Sequence, residues 1–160
     1  MQSEWRVGVP ATATLTNRLT LNAVRAEVDV GSGPVAEMVG TFNASKATLD
    51  LAAATTPGRG RVELTANASD LRLLLPDGNV DATVTLNLSS LRVCVPQAVA
   101  LRVEPSSNPL SSDNLADSGL EEGNPTLWTT PGFSAAGDHV NLSLSSTVSS
   151  FTLERPESCS

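Results

Sequence analysis

A short phrase built around asparagine recurs along this chain of 160 residues and sets the scale of everything else in it. It reads Leu-Asn-Ala-Val from Leu21, Phe-Asn-Ala-Ser from Phe42, Ala-Asn-Ala-Ser from Ala66 and Leu-Asn-Leu-Ser from Leu86. Asn22, Asn43, Asn67 and Asn87 therefore lie 21, 24 and 20 residues apart. A degenerate fifth copy begins at Ser146, with Thr147 in the asparagine position. A repeat of this length is one supersecondary unit, too small to bury its own apolar face, so the copies must stack around a common core. The expectation is an all-β fold, a single-stranded β-solenoid (β-helix) of about five coils.

Aligning the copies on the asparagine gives columns of consistent chemistry. After it, Ala26, Ala47, Leu71, Leu91 and Phe151 share a column, as do Val28, Leu49, Leu73, Val93 and Leu153. Between them runs the polar column Glu27, Thr48, Arg72, Arg92 and Thr152. This is the period-2 alternation of a strand with one buried face. A second strand precedes the asparagine, with Leu19, Gly40, Leu64, Val84 and Leu144 inward and Thr20, Thr41, Thr65, Thr85 and Ser145 outward. Inward parity switches at the asparagine, so the chain must bend there. Asparagine tolerates left-handed backbone, and its amide can bond the amide of the next copy. Asn22, Asn43, Asn67 and Asn87 are thus expected to form a structural ladder at a corner. Each copy closes on a breaker, Gly31, Pro76, Pro96 or Pro156, with Ala52 the departure.

Regularity stops after the fourth copy. Glu104–Trp128 is rich in Ser, Asn, Pro and Asp, and Asp138–Leu144 restores the alternation. The expected organisation is one domain over 1–160, with N-terminal strands or a cap over 1–18 and regular coils over 19–103. An irregular C-terminal capping insertion over 104–138 and a last coil and tail over 139–160 complete it. Long irregular stretches in compact domains either cap an open end or carry function. Within this one, Asn114, Leu115, Leu120, Trp128 and Phe133 form a candidate interaction loop.

Chemistry is sparse. His139 is the only histidine, which excludes a histidine-based metal cluster within one chain. No triad or cysteine–histidine pair has supporting spacing. Asp29 and Asp50 share a column and could stack as paired carboxylates, but later copies put Leu74 and Cys94 there. No catalytic, cofactor or metal residues are assigned, and an enzyme is not expected. The net charge of −7 argues against nucleic acid or an anionic membrane surface as partner. Of four Asn-x-Ser sequons, at Asn43, Asn67, Asn87 and Asn141, three are the repeat motif itself and are expected to face a corner. Cys94 and Cys159 are the only cysteines. Their pairing would pin the tail to the last regular coil and imply an oxidising compartment; the alternative is two unlinked thiols. No apolar run is long enough to span a bilayer, and Met1–Pro10 lacks a signal-peptide pattern, so a membrane tether would lie upstream.

The strand–asparagine–strand copies resemble the extracytoplasmic β-solenoid domains of bacterial envelope proteins, the toastrack-type domains related to the LiaF C-terminal domain and to adhesin-head repeats. The tail adds to the resemblance: Leu91-Arg92-Val93-Cys94-Val95-Pro96, then Ser112-Asp113-Asn114-Leu115, Trp128-Thr129-Thr130-Pro131-Gly132-Phe133 and Ser150-Phe151-Thr152-Leu153. The resemblance spans about Leu19 to Cys159 and implies a right-handed coil held outside the membrane by a tether, with a sensing or scaffolding role. It implies no catalytic residues.

The function expected is therefore a non-enzymatic, extracytoplasmic interaction or sensing domain of the cell envelope, whose partner is an envelope protein or a second copy. The alternative is a structural, self-assembling solenoid like bactofilins or adhesins. An ice-binding surface on the threonine column and a polysaccharide-active β-helix are lesser rivals.

Overall fold

The computed structural model describes residues 12–106, 112–123 and 126–159. Strands follow the repeat. They are β1 (Leu15–Asn22), β2 (Arg25–Asp29), β3 (Val35–Asn43), β4 (Lys46–Asp50), β5 (Gly60–Asn67), β6 (Asp70–Leu74), β7 (Val80–Asn87) and β8 (Ser90–Cys94). After the last regular copy come β9 (Ala100–Pro105), β10 (Glu121–Glu122), β11 (Trp128–Thr129), β12 (His139–Thr147) and β13 (Ser150–Glu154). Single 3-10 turns at Leu115–Asp117 and Phe133–Ala135 are the only helical elements among the described residues.

Each copy contributes one strand to each of two sheets. The first sheet has the order β1-β3-β5-β7-β12-β9-β11-β10, and the second β13-β8-β6-β4-β2. Copies pair in parallel and in register, with Asn22 opposite Asn43, Asn43 opposite Asn67, Asn67 opposite Asn87 and Thr147 opposite Asn87. The fold is all-β, two sheets in which the strands of the repeated unit all pair in parallel. Parallel pairing of consecutive copies needs a crossover, and the strand of the other sheet supplies it.

Both inner faces close on one core of Leu, Val and Ala. In the middle copies it is almost dry: Leu64, Leu73, Val84 and Val93 are exposed by 2% or less. Burial of each such side chain stabilises by about 1.5–3 kcal/mol. Gly40 takes an inward position because Phe42 fills the space over it; a Cβ there would lie 2.6 Å from the ring.

Two expected boundaries move. β1 begins at Leu15, inside the stretch 1–18 expected as N-terminal strands or a cap, runs past its boundary to Asn22, and pairs with β3 like any other copy. β9, placed among the regular coils, leaves the sequential order. β12 lies between β7 and β9, pairing in parallel with both. The chain thus lays down β9 one rung too far and returns through β12 to fill the vacancy. β9 ends at Pro105, and among the described residues no strand follows it into the second sheet; only Ser112 bridges to Ser150 of β13.

Candidate interaction surfaces

The corner is built from three columns. Asn43 Nδ2 donates to Asn22 Oδ1 at 2.7 Å, Asn67 to Asn43 at 2.8 Å and Asn87 to Asn67 at 2.8 Å. The amides form a continuous ladder along the stack. The left-handed residue, however, is not the asparagine but the one after it. Ala23, Ala44, Ala68, Leu88 and Val148 all have φ between 48° and 52°. Asparagine closes the first strand in extended geometry, where its side chain points outward to the ladder, and its successor makes the bend.

Two residues beyond Asn43, Asn67, Asn87 and Thr147 a buried serine repairs what the bend breaks. Ser69 Oγ accepts from Ser45 N–H at 3.1 Å and reaches the carbonyls of Phe42 and Asn67 at 3.1 and 2.9 Å. Ser89 Oγ does the same for Ser69 N–H and the Ala66 carbonyl, and Ser149 Oγ accepts from Ser89 N–H. A buried backbone group without a partner costs about 1–3 kcal/mol, so the hydroxyls hold the corner dry and satisfied. The sequons at Asn43, Asn67 and Asn87 are therefore paired ladders, each serine 4–6% exposed.

Outside this corner runs an open groove of about 660 Å³ along the stack, between the left-handed ridge and Lys46, Asp70, Ser90 and Ser150. Lys46 pairs with Asp70 at 3.3 Å, and Ser90 Oγ donates to the same carboxylate at 3.0 Å. At one end the ridge turns apolar: Leu88 and Val148, on adjacent rungs, are 67% and 64% exposed.

The acidic column has a local purpose. Asp29 Oδ1 accepts from Gly31 N–H at 2.8 Å and Asp50 Oδ1 from Ala52 N–H at 2.9 Å, so each carboxylate ties down its own turn. In the next copies that column is covered. Cys94 and Cys159 form a disulfide, with Cα atoms 5.8 Å apart, and with Leu74 they make a small apolar cluster on the outer face of the second sheet. Arg155 anchors the same tail by donating to the carbonyls of Gln97 and Val99 at 3.1 and 2.8 Å, and burial lowers its pKa from the ordinary arginine value. No group of three or more His, Cys, Asp or Glu side chains could hold a metal ion among the described residues.

The two ends of the stack differ. At the C-terminal end the insertion folds back as a lid. β11 pairs antiparallel with β9, and β10 with β11. Asn114 clamps the outer edge of β13, accepting from Leu153 N–H at 2.7 Å and donating to its carbonyl at 3.0 Å. The stretch expected to offer an interaction surface turns its apolar side chains inward instead: Leu115 is 1% and Leu120 7% exposed. Trp128 packs half-buried on the core, and Phe133 meets His139 edge-on at 4.8 Å. These residues are drawn inward because the first sheet overhangs the second by one strand, leaving apolar surface that only the lid can cover.

At the N-terminal end no described strand pairs with the outer edge of β1 or β2. Leu15, Leu19, Leu21, Ala26, Val28 and Val30 are only partly buried there. No family model, curated protein or solved structure matches the chain. The geometry of the surfaces is what bears on function.

Sequence reasoning located the amide ladder and both cysteines but missed the serine column. Its signal was available: Ser45, Ser69, Ser89 and Ser149 all lie two residues after the ladder position, with Val24 the exception. No described helix is long and apolar enough to cross a membrane, and the structure contains a disulfide. Of the N-terminal strands or cap expected over 1–18, residues 1–11 fall outside the described residues.

Proposed function

We propose that this chain is a non-enzymatic interaction or sensing domain that works outside the cytoplasm, and that it docks its partner through the free edge of β1. In this reading the stacked copies form a single-stranded, right-handed β-solenoid of about five coils. The observation that carries the reading is the asymmetry of the ends. One is closed by a lid and a side-chain clamp, whereas β1 leaves a row of backbone groups unpaired among the described residues. Leu15 and Ala23 N–H groups point to β3, so by strand alternation those of Arg18, Thr20 and Asn22 point away from it. Such an edge recruits an extended segment of another chain by strand addition. The disulfide supports an oxidising compartment, and the resemblance to toastrack-type and LiaF-like envelope domains supports the same placement.

End-to-end assembly is less suited to this molecule, because a polymer needs two open ends and the lid occupies one.

A photo-crosslinking residue at Thr20, introduced in the cells that make the protein, tests the reading. The expected result is a discrete adduct that disappears when Arg18→Pro removes an outward donor from the edge. Adducts from a control position at Thr152 but none from Thr20 would overturn it.

A further inference from the structure

The amide ladder has a direction, and it ends on a donor. Asn43, Asn67 and Asn87 each pass an Nδ2 hydrogen to the Oδ1 of the preceding copy. Asn22 accepts from Asn43, and among the described residues its own Nδ2 has no acceptor. Its side chain is exposed at the end of β1. We propose that this end of the ladder selects what the β1 edge binds: an extended segment of a partner chain, paired in parallel, with a side-chain carbonyl or carboxylate oxygen opposite Asn22 and an acid four residues earlier, opposite Arg18. The proposal rests on strand addition at β1 and adds the register and chemistry of the incoming strand.

The backbone at the corner fixes the register. The residue after each ladder position donates its N–H to the ladder carbonyl of the following copy: Ala23 to Asn43, Ala44 to Asn67, Ala68 to Asn87 and Leu88 to Thr147, at 2.8–3.0 Å. By the same geometry the Asn22 carbonyl faces the open edge beside its Nδ2. An incoming parallel strand meets both groups at one place. Its side-chain oxygen takes the Nδ2 hydrogen, and its next backbone N–H goes to the carbonyl. A leucine or lysine there would strip water from Nδ2 without replacing the acceptor. Parallel is also the orientation in which every copy of the unit meets its neighbour.

Charge supplies the second contact. Arg18 is exposed on the outer face of β1, and its partner on the next rung is Val39. Two other arginines of this face have acids beside them: Arg61 lies 3.0 Å from Glu63 and 3.9 Å from Glu37, and Arg102 lies 3.7 Å from Glu104. Arg18 has no such pair among the described residues. Opposite charges directly across a strand pair attract, so the position facing Arg18 favours Asp or Glu.

The chain itself contains a segment of this kind. In β5, Glu63 precedes Asn67 by four residues, as Arg18 precedes Asn22. A folded second copy cannot offer it, because β5 is enclosed between β3 and β7. Its sequence can, as a labelled synthetic peptide spanning Arg61–Ser69.

Binding of that peptide to the full chain, followed by fluorescence anisotropy, tests the proposal. Asn22→Asp keeps an oxygen for Asn43 and removes the outward donor, so it should weaken binding about tenfold. Asn67→Leu in the peptide should weaken binding to the unaltered chain by about the same factor. Arg18→Glu, an exposed change, should also weaken binding, and Glu63→Lys in the peptide should restore it. Failure of the peptide to bind the unaltered chain would overturn the proposal. So would equal affinity for Asn22→Asp, or no rescue by the Glu63→Lys peptide. The Thr20 crosslink separates the two ways of failing. Its persistence in Asn22→Asp would overturn the role of the ladder alone, whereas its absence from the unaltered chain would overturn strand addition and this proposal with it.

Discussion

The two ends of this stack are made of the same repeat and finished by different means. At the C-terminal end the chain overshoots by one strand, folds 112–123 and 126–138 back over the core, and returns to complete the last copy. The Ser112 carbonyl then accepts from Phe151 N–H, and the Asn114 side chain accepts from and donates to Leu153, so the two cover the outer edge of β13. At the N-terminal end β1 and β2 stop in mid-pattern, their apolar columns half-covered. A stacked repeat exposes the same backbone groups at both ends, and among the described residues only the C-terminal end has them covered. One end is closed by described residues, and in the reading proposed above the β1 edge at the other accepts a strand.

If the lid end carries the stability, its fastenings should be the costly ones to remove. The disulfide joins residues 65 apart, and closing a loop of that size stabilises by about 4 kcal/mol through the unfolded chain. Cys159→Ser should therefore lower the melting temperature by on the order of 10 °C, measured by circular dichroism. A change under about 3 °C would mean that the tail is held mainly by Arg155 and the packing of Leu74. The second test compares the ends directly. Leu115→Ala removes a side chain that is 1% exposed and should cost about 3 kcal/mol. Leu21→Ala, in the partly buried first copy, should cost about 1 kcal/mol, because water already reaches that site. Equal losses in denaturant titrations would show that the N-terminal end is as well covered as the lid.

Much of this architecture was legible because a stacked repeat writes its contacts into columns. Aligning Asn22 with Asn43, Asn67 and Asn87 gave the strand pairs, the inward parity and the amide ladder together. The tail disulfide was one of the two readings open to the only two cysteines, Cys94 in a strand and Cys159 near the end. Two features were not. The left-handed residue was assigned to asparagine by propensity, but here the ladder holds asparagine extended and passes the bend to whatever follows, even Val148. The interchange of β9 and β12 was invisible for a different reason. Alternation says that a segment is a strand, whereas its place in a sheet depends on which strand binds β7 better. Val140, Leu142 and Leu144 continue that core column to the corner, while Pro105 cuts β9 short. The insertion was expected as a cap and also as the place of an interaction loop; Leu115 and Leu120, offered for that loop, are buried beneath it.

The ridge of left-handed residues changes between the same two ends, and that change offers the finest test. From the open end it runs Ala23, Ala44, Ala68 and then Leu88 and Val148. A side chain with a Cβ in this conformation costs about 1–2 kcal/mol, most for the β-branched valine. Leu88 and Val148 gain little in return, since about two thirds of each is exposed. Leu88→Asn keeps a residue that tolerates the bend and removes an apolar side chain from water. It should raise stability by about 1 kcal/mol, or a few degrees in melting temperature. The crosslink from Thr20 should persist in this variant, because the ridge near Leu88 follows β7, three strands from β1 in the first sheet. Loss of the crosslink together with the gain in stability would show instead that the apolar end of the ridge is retained, against its strain, as part of the docking surface.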